Sequence, residues 1–267
     1  MMKIGFIGLG NMGGSLARLV AQVERYSSEL LLANRSRDKA EKLAAEVGGQ
    51  PVSNEEVFAQ AEVIILGIKP AQFEGLLADY QEVLEERESL LLVSMAAGLS
   101  LERLEKMTPS HHRWIRMMPN TPVVVGEGVI SYALSQQAHQ EDEALFRELL
   151  SSAGLLVKLD EKQLDAATAL AGCGPAFVYL FIEALADAGV RAGLSRDISL
   201  QLANQTLLGA AKLSQISGQH PAQLKDQVCS PAGSTIVGVA SLEENAFRGT
   251  VMDAVQAAYK RTQELGK

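Results

Sequence analysis

Glycines at positions 8, 10 and 13 are the first residues whose spacing can do chemistry, in Gly8-Leu9-Gly10-Asn11-Met12-Gly13. They follow a short apolar run at residues 3–7 and precede a helix-spaced stretch at 11–23. In that context the first glycine permits a tight turn, the second lets backbone approach a pyrophosphate, and the third packs the helix closely on the strand. The free amides of Asn11, Met12 and Gly13 at the helix start would face the anion. About 20 residues further on, a dinucleotide site reads the adenosine ribose. There the chain has Ala33-Asn34-Arg35-Ser36-Arg37, with no carboxylate before Asp38. An amide, a guanidinium and a hydroxyl suit a 2′-phosphate, which arginine binds through two hydrogen bonds. NADPH is therefore expected, with NADH still open. Arg35 and Arg37 also fit a plain solvated basic turn.

More candidates stand where apolar runs end. Lys69-Pro70, the small residues Ala96-Ala97-Gly98, and Asn120 within Arg116-Met117-Met118-Pro119-Asn120-Thr121-Pro122 would face the cofactor crevice, because carboxyl ends of parallel strands do. Read blandly, these are ordinary strand-to-helix turns. In the second half, Ser230-Pro231-Ala232-Gly233-Ser234-Thr235 places hydroxyls and a glycine before an apolar helical run. Such a bend makes a pocket for a small anion, a carboxylate above all. Ser230 and Thr235 also fit simple helix caps. Ala171-Gly172-Cys173-Gly174-Pro175-Ala176 is a second tight turn, able to pack against a ligand or a second subunit.

The elements that must position these residues alternate in the first half. Apolar strands are expected at 3–7, 30–33, 63–68, 90–94, 114–118, 129–133 and 155–159, and amphipathic helices at 11–23, 38–47 and 141–152. This alternation implies a parallel sheet covered by helices on both faces. After about residue 160 helices dominate, at 164–171, 175–190, 198–217, 220–228, 233–244 and 246–265. Proline at 175 suits the first turn of a helix. The helix it opens is apolar nearly all round, interrupted by Glu183 and Asp187, as in a buried bundle helix too short to span a bilayer. The expected fold is an α/β Rossmann-type N-terminal domain at residues 1–159, plus an all-α C-terminal domain at 160–267.

Composition narrows the function classes. A net charge of −8 argues against nucleic acid as the main partner. No apolar run comes near the roughly 20 residues that a bilayer span requires, and glycines break any signal-peptide reading of the start. A soluble cytoplasmic protein is the expectation. The two cysteines, Cys173 and Cys229, form no disulfide framework and read as small buried fillers, with a redox pair as the alternative. The four histidines lack metal-ligand spacing, so no metal is expected.

Four blocks carry a family resemblance: Gly8 to Gly13, Ile68-Lys69-Pro70, Arg116 to Pro122, and above all Lys225-Asp226-Gln227-Val228-Cys229-Ser230-Pro231-Ala232-Gly233-Ser234-Thr235-Ile236. In this order and over essentially its full length, the chain resembles the pyrroline-5-carboxylate reductases, which complete proline biosynthesis. The resemblance implies NADPH, and a helical domain interlocked with a second subunit as a homodimer or an assembly of dimers. It also implies a substrate carboxylate on the backbone amides at 233–235, flanked by Ser230 and Ser234, and Thr235 as the catalytic hydroxyl bonded to the ring nitrogen. The family commonly has Gly-Ser-Gly-Pro-Ala-Tyr where this chain has Gly172-Cys173-Gly174-Pro175-Ala176-Phe177, and two glycines at Ala232-Gly233. Two other readings share these blocks. One is a non-catalytic dinucleotide-binding regulator descended from such an enzyme. The other is a hydroxyacid dehydrogenase-like reductase, against which stands the absence of lysine from residues 164–190.

Overall fold

The structure, a computed structural model, describes residues 2–26 and 29–265. Four short apolar runs form its central strands, β1 (Ile4–Ile7), β2 (Leu30–Ala33), β4 (Val63–Leu66) and β5 (Leu91–Ser94), and each is buried at every position. Continuous burial is what a sheet covered on both faces demands of its strands. With β3 (Gln50–Pro51), β6 (Arg113–Pro119), β7 (Gly128–Leu134) and β8 (Gly154–Lys158) they build one eight-stranded sheet of order β3-β2-β1-β4-β5-β6-β7-β8. All neighbours are parallel except β6 and β7, which run antiparallel. The expected parallel sheet is thus met at every pairing but this one. Only residues 120–127 join the two strands, whereas a parallel crossover takes a dozen or more.

Helices α1 (Asn11–Ala21), α2 (Arg37–Val47) and α7 (Gln140–Leu149) match the expected amphipathic stretches. Four short helices were not expected: α3 (Asn54–Gln60), α4 (Phe73–Asp79), α5 (Gln81–Glu86) and α6 (Leu101–Lys106). One apolar layer joins Leu16, Val20 and Phe146 to Phe6, Ile65 and Ile115. The other joins Val57, Phe73, Leu104 and Trp114 to Ile64 and Leu92. Adjacent residues such as Ile64 and Ile65 serve opposite layers because strand side chains alternate faces.

Beyond β8, a 3₁₀ turn at Glu161–Gln163, α8 (Leu164–Ala167), a π-helical turn at Thr168–Gly172 and α9 (Gly174–Arg191) follow one another, with Cys173 also in helical geometry. The break expected before Pro175 is thus absent. The resulting run, Glu161–Arg191, is long and apolar enough to cross a bilayer by length and composition, which overturns the expectation that no stretch reaches that size. The remaining helices are α10 (Arg196–Ser217), α11 (Pro221–Val228), α12 (Ser234–Glu244) and α13 (Phe247–Leu265).

The chain divides into two compact units, residues 1–173 with 258–267, and residues 174–257. Residues 161–172 pack with the sheet for two physical reasons. Leu164 is fully buried in the second apolar layer. The guanidinium of Arg116, itself buried on β6, bonds Glu161 at 3.1 Å and Asp165 at 2.9 Å. The second unit holds its apolar side chains differently. In α9 only Ala186 is buried, and in α10 only Ser199 and Ala203. Leu180, Leu208, Leu213 and Ile216 are all more than half exposed. The expected burial of α9 inside a bundle is therefore not met within a single chain.

Candidate active site

The strand order reverses at β1, whose neighbours are β2 and β4, and ligands of such sheets bind at the carboxyl ends there. Gly8 leaves β1 with φ +94°, and its amide donates to the Ala33 carbonyl at 2.9 Å. A methyl on Gly8 would stand 2.6 Å from the Gly67 carbonyl oxygen, and one on Gly13 would stand 2.1 Å from the Gly8 carbonyl oxygen. Gly67, at the end of β4, closes the same knot, since its methyl would meet the Gly8 oxygen at 2.4 Å. Gly10 differs: a methyl there would find no protein atom within 4 Å. Packing within the described residues does not require glycine at position 10, and its backbone is left uncovered by side chain. Behind it, Asn11, Met12 and Gly13 open α1, which has neither a side-chain cap nor an acidic residue in its first turn. Those amides are therefore available to an anion, and the arrangement fits a dinucleotide pyrophosphate.

A cleft of about 710 Å³ runs from this point, lined among others by Gly8, Gly10, Asn34, Arg35, Ser36 and Lys69. Asn34 shapes its wall, accepting the Leu9 amide at 3.0 Å and donating to the Ser36 carbonyl at 3.1 Å. Arg35 and Ser36 are exposed, and Arg35 has no ion-pair partner among the described residues. Lys39, in the first turn of α2, lines the same cleft and was missed by sequence reasoning. Arg37 turns away: it pairs with Glu41 at 3.0 Å and lines a separate cavity of about 360 Å³. Lys69 receives the Gln72 side chain on its amide at 3.2 Å, and Pro70 opens a 3₁₀ turn.

Ala96, Ala97 and Gly98 follow β5, next to β4 in the sheet but outside the lining of this cleft. The Ala96 amide donates to the buried Ser94 hydroxyl at 3.2 Å, and Gly98 turns the chain with φ +79°. Asn120, just past β6, is buried and bonded at both ends of its amide. Its Oδ1 accepts the Val129 N–H at 2.8 Å, and its Nδ2 donates to the Ala171 carbonyl at 3.0 Å.

In the second unit, the segment 230–235 is a tight bend closed by the Gly233 amide donating to the Ser230 carbonyl at 3.0 Å. A methyl on Gly233 would lie 2.2 Å from the Ser230 hydroxyl oxygen. Ala232 sits in the left-handed region at φ +57°, a conformation that favours glycine. α12 starts at Ser234 with Gly233 as its cap residue, no side-chain cap bond and no acidic residue in its first turn. The alternative that Ser230 or Thr235 caps the helix is therefore overturned, and the first amides of α12 keep their donors. Ser230 and Ser234 are exposed and Thr235 is half-buried. Both cysteines are free thiols and partly exposed, not the buried fillers expected.

Comparisons with known proteins agree with this geometry. Residues 161–265 match the family described as pyrroline-5-carboxylate reductase dimerisation, and residues 3–98 match NADP oxidoreductase coenzyme F420-dependent. Pyrroline-5-carboxylate reductase from Pisum sativum is 43% identical, over 98% of this chain and 95% of that one. The Synechocystis enzyme of the same name is 41% identical, over 100% and 99%. A crystal structure of Plasmodium falciparum pyrroline carboxylate reductase with NADP bound is 37% identical, covers 100% of this chain and 98% of that one, and superposes with a TM-score of 0.88. With its glycine knot, its open α1 terminus and its 230–235 bend, this chain belongs to the pyrroline-5-carboxylate reductase family.

Proposed function

We propose that the protein reduces 1-pyrroline-5-carboxylate to L-proline with NADPH, the closing step of proline biosynthesis. The observation that carries this reading is the uncapped, acid-free start of α12 behind the Ala232–Gly233 bend, in a chain whose Gly10 backbone is bare toward the crevice. The first offers backbone donors to a small carboxylate, the second to a dinucleotide.

NADPH, when bound, supplies a hydride to the imine carbon. The chain's own residues bind and orient. Gly10, Asn11, Met12 and Gly13 hold the pyrophosphate with backbone amides, and Gly8, whose own amide is taken by Ala33, makes the turn that presents them. Arg35 and Ser36, joined by Lys39 and shaped by Asn34, hold the 2′-phosphate. Lys69, Pro70, Ala96, Ala97 and Gly98 line the path toward the nicotinamide end. The amides at 233–235 take the substrate carboxylate, with Ser230 and Ser234 beside it, and the Thr235 hydroxyl bonds the ring nitrogen. A cyclic imine is basic enough to carry a proton near neutral pH, so these residues need only position it, and positioning lowers the barrier by itself.

The functional division we read is nucleotide binding by residues 1–159, and substrate binding and dimerisation by 160–267. We read the protein as soluble and cytoplasmic, and the exposed apolar side chains of α9 and α10 support a homodimer, or a larger assembly built from dimers. A protein partner suits the Glu161–Arg191 run better than lipid does. Glu183 lies within it, and Asp187 pairs with Arg196 at 2.6 Å, charges that hydrocarbon would penalise.

The test is loss of NADPH absorbance on adding 1-pyrroline-5-carboxylate, with NADH in parallel. Thr235→Ala is expected to lower kcat/KM about 100-fold while NADPH affinity holds. Unchanged turnover removes Thr235 from the mechanism. A wild type that binds NADPH and reduces no cyclic imine overturns the proposal.

A further inference from the structure

Proline 175 stands inside a helical run, not at its beginning. Residues 164–172 before it are already helical, and Cys173 continues in right-handed helical geometry at φ −84° and ψ −25°. Inside a helix, proline lacks the N–H that would bond the carbonyl four residues back, and its ring presses on that carbonyl. The carbonyl in question belongs to Ala171. It lies in the π-helical turn, where the Cys173 amide reaches five residues back to the Thr168 carbonyl at 3.0 Å and the Thr168 hydroxyl bonds the Leu164 carbonyl at 2.7 Å. In place of the N–H that proline denies it, the Ala171 carbonyl receives a donor from a different element: Asn120 Nδ2, at 3.0 Å.

Asn120 is built for this one task. Its orientation is fixed by the Val129 N–H, which donates to Oδ1 at 2.8 Å, so Nδ2 has to face Ala171. It is 7% exposed, and its backbone is extended at φ −114° and ψ 167°. Strand alternation puts it on the same side as Arg116, four residues earlier. Arg116 grips the start of the run through Glu161 and Asp165, and Asn120 grips its π-helical end. π-helical turns are rare and cluster at functional sites, and this one leads directly into Gly172-Cys173-Gly174.

We propose that Asn120 is a positioning residue: its amide supplies the hydrogen bond that Pro175 cannot make to Ala171, and so fixes the shape of a turn on which the KM for the imine depends. This inference rests on the function proposed above. It assigns Asn120 to the substrate side of the reaction through the turn, not to the cofactor.

The test is a double-mutant cycle of Asn120→Ala and Pro175→Ala, read by Tm, by KM for 1-pyrroline-5-carboxylate and by NADPH affinity from fluorescence. Asn120→Ala removes the side-chain donor from the Ala171 carbonyl. Tm is expected to fall by about 5 °C, and KM for the imine to rise about ten-fold, with NADPH Kd changed less than about two-fold. In the double variant, the backbone that replaces proline supplies the missing N–H, so Tm is expected to recover while KM stays raised, because the turn has relaxed toward a regular helix. An NADPH Kd that weakens as much as KM rises would make Asn120 a direct cofactor contact and overturn the inference. So would an unchanged KM, or a double variant that regains KM together with Tm. Should Asn120→Ala fail to fold, Pro175→Ala alone decides. It keeps Asn120 and gives Ala171 a second donor, so a raised KM supports the inference and a wild-type KM overturns it. A wild type without imine turnover would sink the proposed reaction instead, and the Tm cycle would still read the coupling, where additive shifts overturn it.

Discussion

A missing methyl can be interrogated by what it would strike. At Gly8, Gly13 and Gly67 it would strike backbone oxygen inside 2.7 Å, so those glycines are demanded by the fold. At Gly10 it would strike nothing within 4 Å, so the cause of that glycine is not packing within the chain. The residue pattern alone does not separate these two causes, because G-x-G-x-x-G reads alike for both. Histidine 112 shows another property that spacing conceals. It is buried, accepts the Leu90 N–H on Nδ1 at 3.1 Å and donates from Nε2 to the Leu84 carbonyl at 3.0 Å. Burial, reinforced by the neighbouring His111, lowers its pKa from 6.5 to about 4. Below pH 6.5 the unfolded chain takes up a proton here that the folded chain refuses. Stability from this residue is therefore complete above pH 6.5 and lost as pH falls toward 4. At about 1.4 kcal/mol per pKa unit the loss is about 3 kcal/mol. Urea unfolding from pH 7.5 down to 4.5 should show this slope in the wild type, and a His112→Gln variant should lack it.

Among elements, legibility followed burial and length. The four-residue strands β1, β2, β4 and β5 were readable because a doubly covered sheet leaves uninterrupted apolar runs. Helices α3 to α6 were not, since six or seven residues carry too few turns to establish a period. The capping box of α3, in which Ser53 and Glu56 bond each other's backbone amides, was the signal available. The 230–235 bend was legible as a motif, and its strain was not. Ala232 holds φ +57°, a conformation that favours glycine. Replacing it with glycine removes the clash of an L side chain in that region, against a smaller entropic cost in the unfolded chain. Ala232→Gly is expected to raise stability by about 1 kcal/mol in denaturant unfolding, with kcat held near the wild-type value. A loss of stability would show that the methyl makes a compensating contact.

For the whole molecule, the second unit leaves Leu180, Leu208, Leu213 and Ile216 to solvent, in a quantity that soluble monomers avoid. Light scattering behind size exclusion should therefore find a dimer or a multiple of it. Leu208→Glu combined with Leu213→Glu, on the exposed side of α10, should shift the mass to that of one chain and abolish turnover. A variant that kept both mass and activity would move the contact elsewhere.

What the amino-acid order determined by itself was local: the glycine knot, the strands deep enough to be wholly apolar, the helix spacing and the acid-free bend at 230–235. Each of these is set by neighbours within about ten residues. Only the tertiary structure decided that β6 and β7 run antiparallel, that Gly67 closes the knot begun at Gly8, that Arg37 leaves the cleft while Lys39 enters it, and that Asn120 answers the proline at 175. Those outcomes depend on which distant groups meet when the sheet closes. A carbonyl's need for a partner can be read from the chain, but the identity of that partner is settled by packing.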